Sequence, residues 1–280
     1  MALDVAGHAA SLLERLRARR PLVHHLANFV TMQAVASVTR ALGALPVMAI
    51  ARGDAEQTAA TADALVLSLG TPTPERLEAM LAAGRVAVDR RIPIVFDPVG
   101  AGATRYRHDA ARRLLDGVRV TVVRANAGEA AALLGRSGLV RGVESVAEAE
   151  TSDPPRVAPE AARALGCVVA VTGPYDAVAD AHHTFIIEDG HPWLPAISGS
   201  GCMATAVVGS FCAVAADGED DAVATDYAVA AAAGLACFRV AAALAAKEAR
   251  GPGSLGSALL DALYHLTPDQ AQQAARIRVV

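Results

Sequence analysis

One stretch of the chain carries residue types that point to chemistry. Ser198-Gly199-Ser200-Gly201-Cys202-Met203-Ala204-Thr205 opens an apolar run of small residues reaching Ala216. Two glycines around one residue let the backbone approach a ligand and take φ values that other residues avoid. The run behind them reads as a helix, whose unpaired first amides and positive dipole end favour an anion. Gly199, Ser200 and Gly201 are therefore a candidate anion hole. Cys202 stands at the helix start, where a thiol is more readily deprotonated.

Further candidates recur where strands are expected to end. Asn28, Met48, Gly70-Thr71, Asp97, Arg124, Asn126, Glu129 and Thr172 all fall at or just past such ends. In open α/β sheets that is where ligands bind. Asp97 and Glu129 suit Mg²⁺, which takes oxygen ligands and keeps several waters. Arg124 suits phosphate oxygens through charge-assisted hydrogen bonds, and Thr172 adds a hydroxyl. A metal, a cationic clamp, an anion hole and a group to orient the nucleophile are the parts of a phosphoryl-transfer site. Each part also has a plain structural reading: Asp97-Pro98 makes a turn, Asn126 and Glu129 cap a helix, Met48 fills a core. Their joint placement is what favours the chemical one.

The elements that must position these residues alternate. A helix over 6–19 is followed by a strand over 21–26, with His24 and His25 on opposite faces. A helix over 30–42 stops at Gly43, and apolar runs at 46–49 and 64–70 read as buried strands. Helix 74–90, strand 92–96, helix 106–116 and strand 120–123 come next, then helix 128–134. Residues 137–159 read as surface loop, and a further helix leads to strand 167–171. Alternation over 177–187 suggests one antiparallel edge strand, and three helices close the chain. This order implies a single α/β domain over 1–280, with a mostly parallel central sheet and helices on both faces.

Composition narrows the classes. With 25 basic and 29 acidic residues among 280, a net charge of −4 gives no reason to expect nucleic acid or an anionic membrane as partner. The most apolar segments, 203–216 and 227–238, are too short to span a bilayer. The N-terminus lacks the apolar core of a secretion signal, and Cys167, Cys202, Cys212 and Cys237 show no metal spacing. A cytoplasmic protein is the expectation. No Gly-Lys-Ser/Thr phosphate loop and no three-glycine dinucleotide fingerprint occurs, which argues against P-loop enzymes and Rossmann dehydrogenases.

Taken in order, these residues resemble the hydroxyethylthiazole kinase family of the ribokinase-like superfamily. The resemblance spans about residues 20–265. It is carried by Pro21-Leu22-Val23-His24 with Asn28, by Leu42-Gly43-Ala44 and by Pro46-Val47-Met48-Ala49. Gly70-Thr71, Asp97-Pro98-Val99-Gly100-Ala101-Gly102-Ala103-Thr104, Arg124-Ala125-Asn126 with Glu129, and Val169-Ala170-Val171-Thr172-Gly173 follow. Gly199-Ser200-Gly201-Cys202, Thr205-Ala206-Val207-Val208-Gly209 and Gly251-Pro252-Gly253-Ser254 complete it.

The resemblance implies a ribokinase-like fold and an ATP- and Mg²⁺-dependent phosphorylation of 4-methyl-5-(2-hydroxyethyl)thiazole in thiamine salvage. It implies that Met48, Gly199 and Asn28 contact the thiazole alcohol, that Arg124, Thr172 and Asn126 serve ATP, and that Asp97 and Glu129 serve the metal. It also implies a homotrimer with active sites at subunit interfaces. His25, Ala27, Ser68 and Ser200 depart from the family's usual Asn, Thr, Asn and Thr, and Arg141-Gly142-Val143-Glu144-Ser145 from its Lys-Gly-Val-Asp-Ser. Most ribokinase-like kinases place an Asp where Cys202 stands, and a cysteine there is characteristic of the thiazole kinases. A thiol pKa lowered by the helix end would let Cys202 orient the hydroxyl and accept its proton. The competing readings are another small-alcohol kinase, a nicotinamide-nucleotide repair dehydratase of the same fold, and a non-catalytic sensor of thiazole or nucleotide.

Overall fold

The computed structural model describes residues 4–136, 140–141, 144–145, 153–188, 190–215 and 227–280. The first half alternates helix and strand: α1 (Val5–Arg19), β1 (Leu22–Leu26), α2 (Met32–Leu42), β2 (Leu45–Val47), α3 (Arg52–Ala59), β3 (Ala64–Ser68), α4 (Pro74–Asp89), β4 (Ile94–Asp97), α5 (Arg105–Gly117), β5 (Val122–Asn126) and α6 (Ala127–Leu133). Two short strands, β6 (Val140–Arg141) and β7 (Glu144–Ser145), precede α7 (Pro154–Leu165) and β8 (Val168–Thr172). Then come β9 (Asp176–Ala179), β10 (Thr184–Ile187), α8 (Ser200–Ala215), α9 (Tyr227–Ala246), α10 (Pro252–His265), α11 (Pro268–Ala274) and β11 (Ile277–Val279).

The described sheet runs β11-β10-β9-β8-β5-β4-β3-β1-β2. From β8 to β2 all pairings are parallel, and from β8 to β11 all are antiparallel. Neighbouring strand residues alternate between two cores, as the two-residue period requires. Val66, Val95, Val122 and Ala170 face a core shared with α1, α2 and α8–α11. Leu67, Phe96, Val123 and Val171 face a core shared with α3–α7. The parallel sheet with helices on both faces is as expected.

Several expectations need correction. Helix α3 was not anticipated, because Arg52-Gly-Asp-Ala-Glu-Gln-Thr-Ala has no apolar stripe and buries only Ala55 and Ala59. The segment expected as loop to residue 159 becomes helical at Pro154, since proline is compatible with a first helical turn. Most of 137–152 lies outside the described residues. The single edge strand over 177–187 is a hairpin, β9 and β10, broken at 180–183 and flanked by β11. Four helices, rather than three, follow the glycine loop. Helix α9 carries the apolar segment 227–238 on through Arg239 to a length of 20 residues, and its apolar window is 89% buried. Length and composition alone would let it cross a bilayer; its burial makes it a core helix.

A buried ion pair fixes α9 to the sheet. Arg239 Nε donates to Asp176 Oδ2 and Nη2 to Asp176 Oδ1, both at 2.6 Å. The same guanidinium donates to the carbonyls of Gly173 at 2.6 Å and Pro174 at 3.0 Å. It therefore shapes the turn directly after Thr172. Removing one partner leaves the other charge buried and unpaired, so Asp176→Ala is expected to lower unfolding free energy by about 3–5 kcal/mol. Urea denaturation read by far-UV circular dichroism checks this.

Candidate functional site

The parallel strand ends converge on Arg124. It lies on β5, between β4, which ends at Asp97, and β8, which ends at Thr172. Its Nη1 stands 3.7 Å from Asp97 Oδ1, and its Nη2 donates to Thr172 Oγ1. A Cβ on Gly201 would lie 2.7 Å from Arg124 Nη1, so any larger residue there would push the guanidinium from its place beside Asp97 and Thr172. Gly199 takes φ +84, in the left-handed region glycine favours, and a Cβ there would meet Thr31 Cγ2 at 2.6 Å. The Ser200 amide donates to the Ile197 carbonyl at 3.1 Å and is thereby spent. The anion-hole role narrows to first-turn amides beyond it, Gly201 and Cys202, which have no carbonyl four residues back within the helix.

Asn126 caps α6 as its alternative reading suggested. Its Oδ1 accepts from the Glu129 amide at 2.8 Å, and Glu129 Oε2 accepts from the Asn126 amide at 2.9 Å. Glu129 does more than cap. Its Oε1 accepts from the Gly100 amide at 2.8 Å, tying α6 to the turn after Asp97. Burial first, and then the negative charge of Asp97, push the Glu129 pKa up to about 7. Asp97 is 1% exposed, and among the described residues neither carboxylate oxygen has a hydrogen bond of good geometry, although the Cys202 thiol and Thr205 hydroxyl stand close enough to favour its charged form. Burial raises its pKa and Arg124 partly offsets that.

Two buried carboxylates that repel each other, one with both oxygens unsatisfied, make a donor set that suits a hard divalent cation. Among the described residues no group of three or more His, Cys, Asp or Glu side chains gathers to hold a metal by itself. A cation here would need oxygens from water or substrate as well, which is how Mg²⁺ binds.

Cys202 lies in the first turn of α8, as expected, but its electrostatics reverse the expectation. A helix N-terminus contributes about 0.3–1 kcal/mol, less than one pKa unit. Burial first, and then Asp97, push the thiol up to about 12. The two tertiary effects outweigh the dipole, and at neutral pH Cys202 is a thiol.

His25, Asn28, Ser68, Asp97, Cys202 and Thr205 line a small cleft with Ala27, Val35 and Val66. Asn28 therefore meets Asp97 and Cys202, while Met48 is absent from this lining. Met48 follows β2 at the sheet edge, half-buried against the α8–α9 core. Both adjacent histidines are buried and bonded. His24 Nε2 pairs with the Ala49 carbonyl at 3.1 Å and His25 Nε2 with Thr39 Oγ1 at 3.2 Å. Of the four cysteines, Cys212 and Cys237 are core residues, as read from sequence, and all four are free thiols.

The hydroxyethylthiazole kinase family profile matches residues 13–269. A hydroxyethylthiazole kinase from Chloroflexus aurantiacus is 48% identical over 271 residues, 97% of each chain. The chain belongs to the hydroxyethylthiazole kinase family. A solved hydroxyethylthiazole kinase structure from Pyrococcus horikoshii superposes with a TM-score of 0.86 at 37% identity, covering 98% of this chain and 99% of that one. A pyridoxal kinase from Staphylococcus aureus, 17% identical with a TM-score of 0.60 over 92% of this chain and 97% of that one, shares the fold alone. The fold is the ribokinase-like one expected from the sequence.

Sequence reasoning missed the supporting side chains. Thr31 and Arg76 gave no signal of their own, since each reads as an ordinary helix residue, and Thr205 was quoted only within its motif, with no role assigned. His25 and Ser68 were singled out only as departures from the family's usual residues, and both line the cleft.

His25 supplies a test of this environment. Burial first, and then His24, push its pKa from 6.5 to about 3. Below pH 6.5 the unfolded chain takes up a proton that the folded chain refuses. Stability is therefore fully present above 6.5 and falls as pH drops toward 3. The slope from this residue is up to about 1.4 kcal/mol per pH unit. Urea midpoints across that range check it, and His25→Gln should flatten the dependence.

Proposed function

We propose that this chain transfers the γ-phosphoryl group of ATP to the hydroxyl of 4-methyl-5-(2-hydroxyethyl)thiazole, a step of thiamine salvage. The observation that carries the reading is the convergence of Arg124, the unsatisfied Asp97 carboxylate and the first turn of α8 on one cluster of strand ends. Phosphoryl transfer is mostly positioning and charge stabilisation, and these groups supply both.

Arg124, with Thr172 and Asn126 beside it, binds the phosphates of ATP. The Gly201 and Cys202 amides, left open at the start of α8, receive the transferring group. Asp97 and Glu129 would hold Mg²⁺, partly through water, and such an ion would supply neutralisation of phosphate charge. Asn28, Gly199 and Met48 contact the thiazole alcohol. Cys202, protonated in the free protein, orients the hydroxyl through its thiol; no thiolate base is required.

The active unit is a cytoplasmic homotrimer of single-domain chains with sites completed across subunit interfaces. Met48, outside the cleft of its own protomer, would serve a neighbour's site. Phe29 and Val30, 51% and 71% exposed next to Asn28, are apolar surface that such an interface would cover.

Purified protein with ATP, Mg²⁺ and hydroxyethylthiazole should release ADP, with pyridoxine and hydroxymethylpyrimidine inert. Turnover of the pyrimidine with none of the thiazole would leave the fold and sink the substrate. Cys202→Ser keeps an orienting hydroxyl and should retain kcat within about tenfold, while Cys202→Ala should lose about 10–100-fold. The wild-type kcat–pH profile should show no thiol ionisation near neutrality. Wild-type kcat in Cys202→Ala would remove the thiol from the mechanism.

A further inference from the structure

A buried cation that the reaction does not use lies beneath the cleft. Arg76, in the first turn of α4, is 4% exposed, and no carboxylate pairs with it among the described residues. Its donors go to the backbone and hydroxyl of two strand-end loops instead. Nη2 donates to the Ala27 carbonyl at 2.6 Å, in the loop after β1. Nη1 donates to Thr71 Oγ1 at 2.7 Å and to the carbonyls of Gly70 and Thr71 at 3.1 Å, in the loop after β3. The guanidinium also lies 4.5 Å from the centre of the Phe29 ring.

What these bonds hold is unusual backbone. Thr71 has φ +48, a left-handed conformation that a β-branched residue takes only under constraint. Three of the Arg76 contacts fall on Thr71 and the residue before it. Thr71 Oγ1 in turn meets Asn28, receiving the Phe29 amide at 3.4 Å and standing 3.5 Å from Asn28 Oδ1. Across the same gap Gly70 packs so closely on Asn28 that a Cβ would overlap its side-chain amide. Asn28 lines the cleft with Cys202 and Asp97. A planar fork of donors spans two loops in a way that a lysine's single ammonium does not.

We propose that Arg76 is a positioning residue for the alcohol substrate: it bolts the loop after β1 to the loop after β3 and so sets Asn28 in the cleft. This rests on the thiazole kinase reading, which the wild-type assay tests separately.

The experiment compares wild type, Arg76→Lys and Arg76→Met in steady state, with hydrogen exchange on the same samples. In Arg76→Met, KM for hydroxyethylthiazole should rise at least about tenfold while KM for ATP stays within about twofold, because the nucleotide groups lie on β5 and β8. Arg76→Lys should fall between the two. Exchange should accelerate at the Phe29 and Thr31 amides and stay unchanged in β5 and β8. Equal rises in both KM values, or an unchanged thiazole KM in a folded variant, would overturn the proposal. If Arg76→Met fails to fold, Arg76→Lys decides, since it keeps the charge and loses the span. An active wild type with an unaltered Arg76→Lys would reject the positioning role and leave the kinase reading standing.

Discussion

A single guanidinium on a central strand sets the terms for this fold's working end. Arg124 faces the Asp97 carboxylate, donates to Thr172 and packs against the bare backbone of Gly201. That is possible because β5 is flanked in the sheet by β4 and β8, so that three separate strands deliver their ends side by side. Burial makes the arrangement consequential. Asp97 is buried with only weak compensation, and its charge is felt by Glu129 and Cys202 alike. Much of the site's electrostatics follows from that one imperfectly compensated carboxylate.

The parts of the fold legible in the sequence are those that local pattern encodes. Continuous apolar runs such as Ala64–Ser68 announce strands covered on both faces, and the rule that ligands gather at strand ends brought Asp97, Arg124, Thr172 and Asn28 into consideration together. The parts that were hidden depend on neighbours. Helix α3 has no stripe of its own and is helical because Ala55 and Ala59 fit beneath it. The pKa of Cys202 was misjudged because the helix end is local and visible, whereas the burial and Asp97 come from elsewhere in the chain. The Ser200 amide was counted as free because its acceptor, the Ile197 carbonyl, lies in a turn that glycine spacing does not reveal.

Arginine recurs as the structural answer in a core poor in aromatic rings. Arg76, Arg124 and Arg239 are each at most 8% exposed, and each bonds to segments at the ends of strands. Arg76 bonds largely to carbonyls and so stiffens backbone, whereas Arg239 divides its donors between two carbonyls and the Asp176 carboxylate. Glu129 works in the same spirit from the acidic side, capping α6 with one oxygen and holding the Gly100 turn with the other.

Helix α1 shows what this economy costs in time. Arg17 donates to the carbonyls of Leu263 and Leu266, nearly 250 residues away, at 2.9 and 2.6 Å. At the far edge of the sheet, β11 pairs with β10 across about ninety residues. Contacts of such sequence separation form only after long loops close, and they slow folding. A ribosome-bound chain can assemble β1 to β5 early, yet α1 has no permanent seat until α10 has been made. Until then the apolar face that α1 covers in the folded chain has no complete partner.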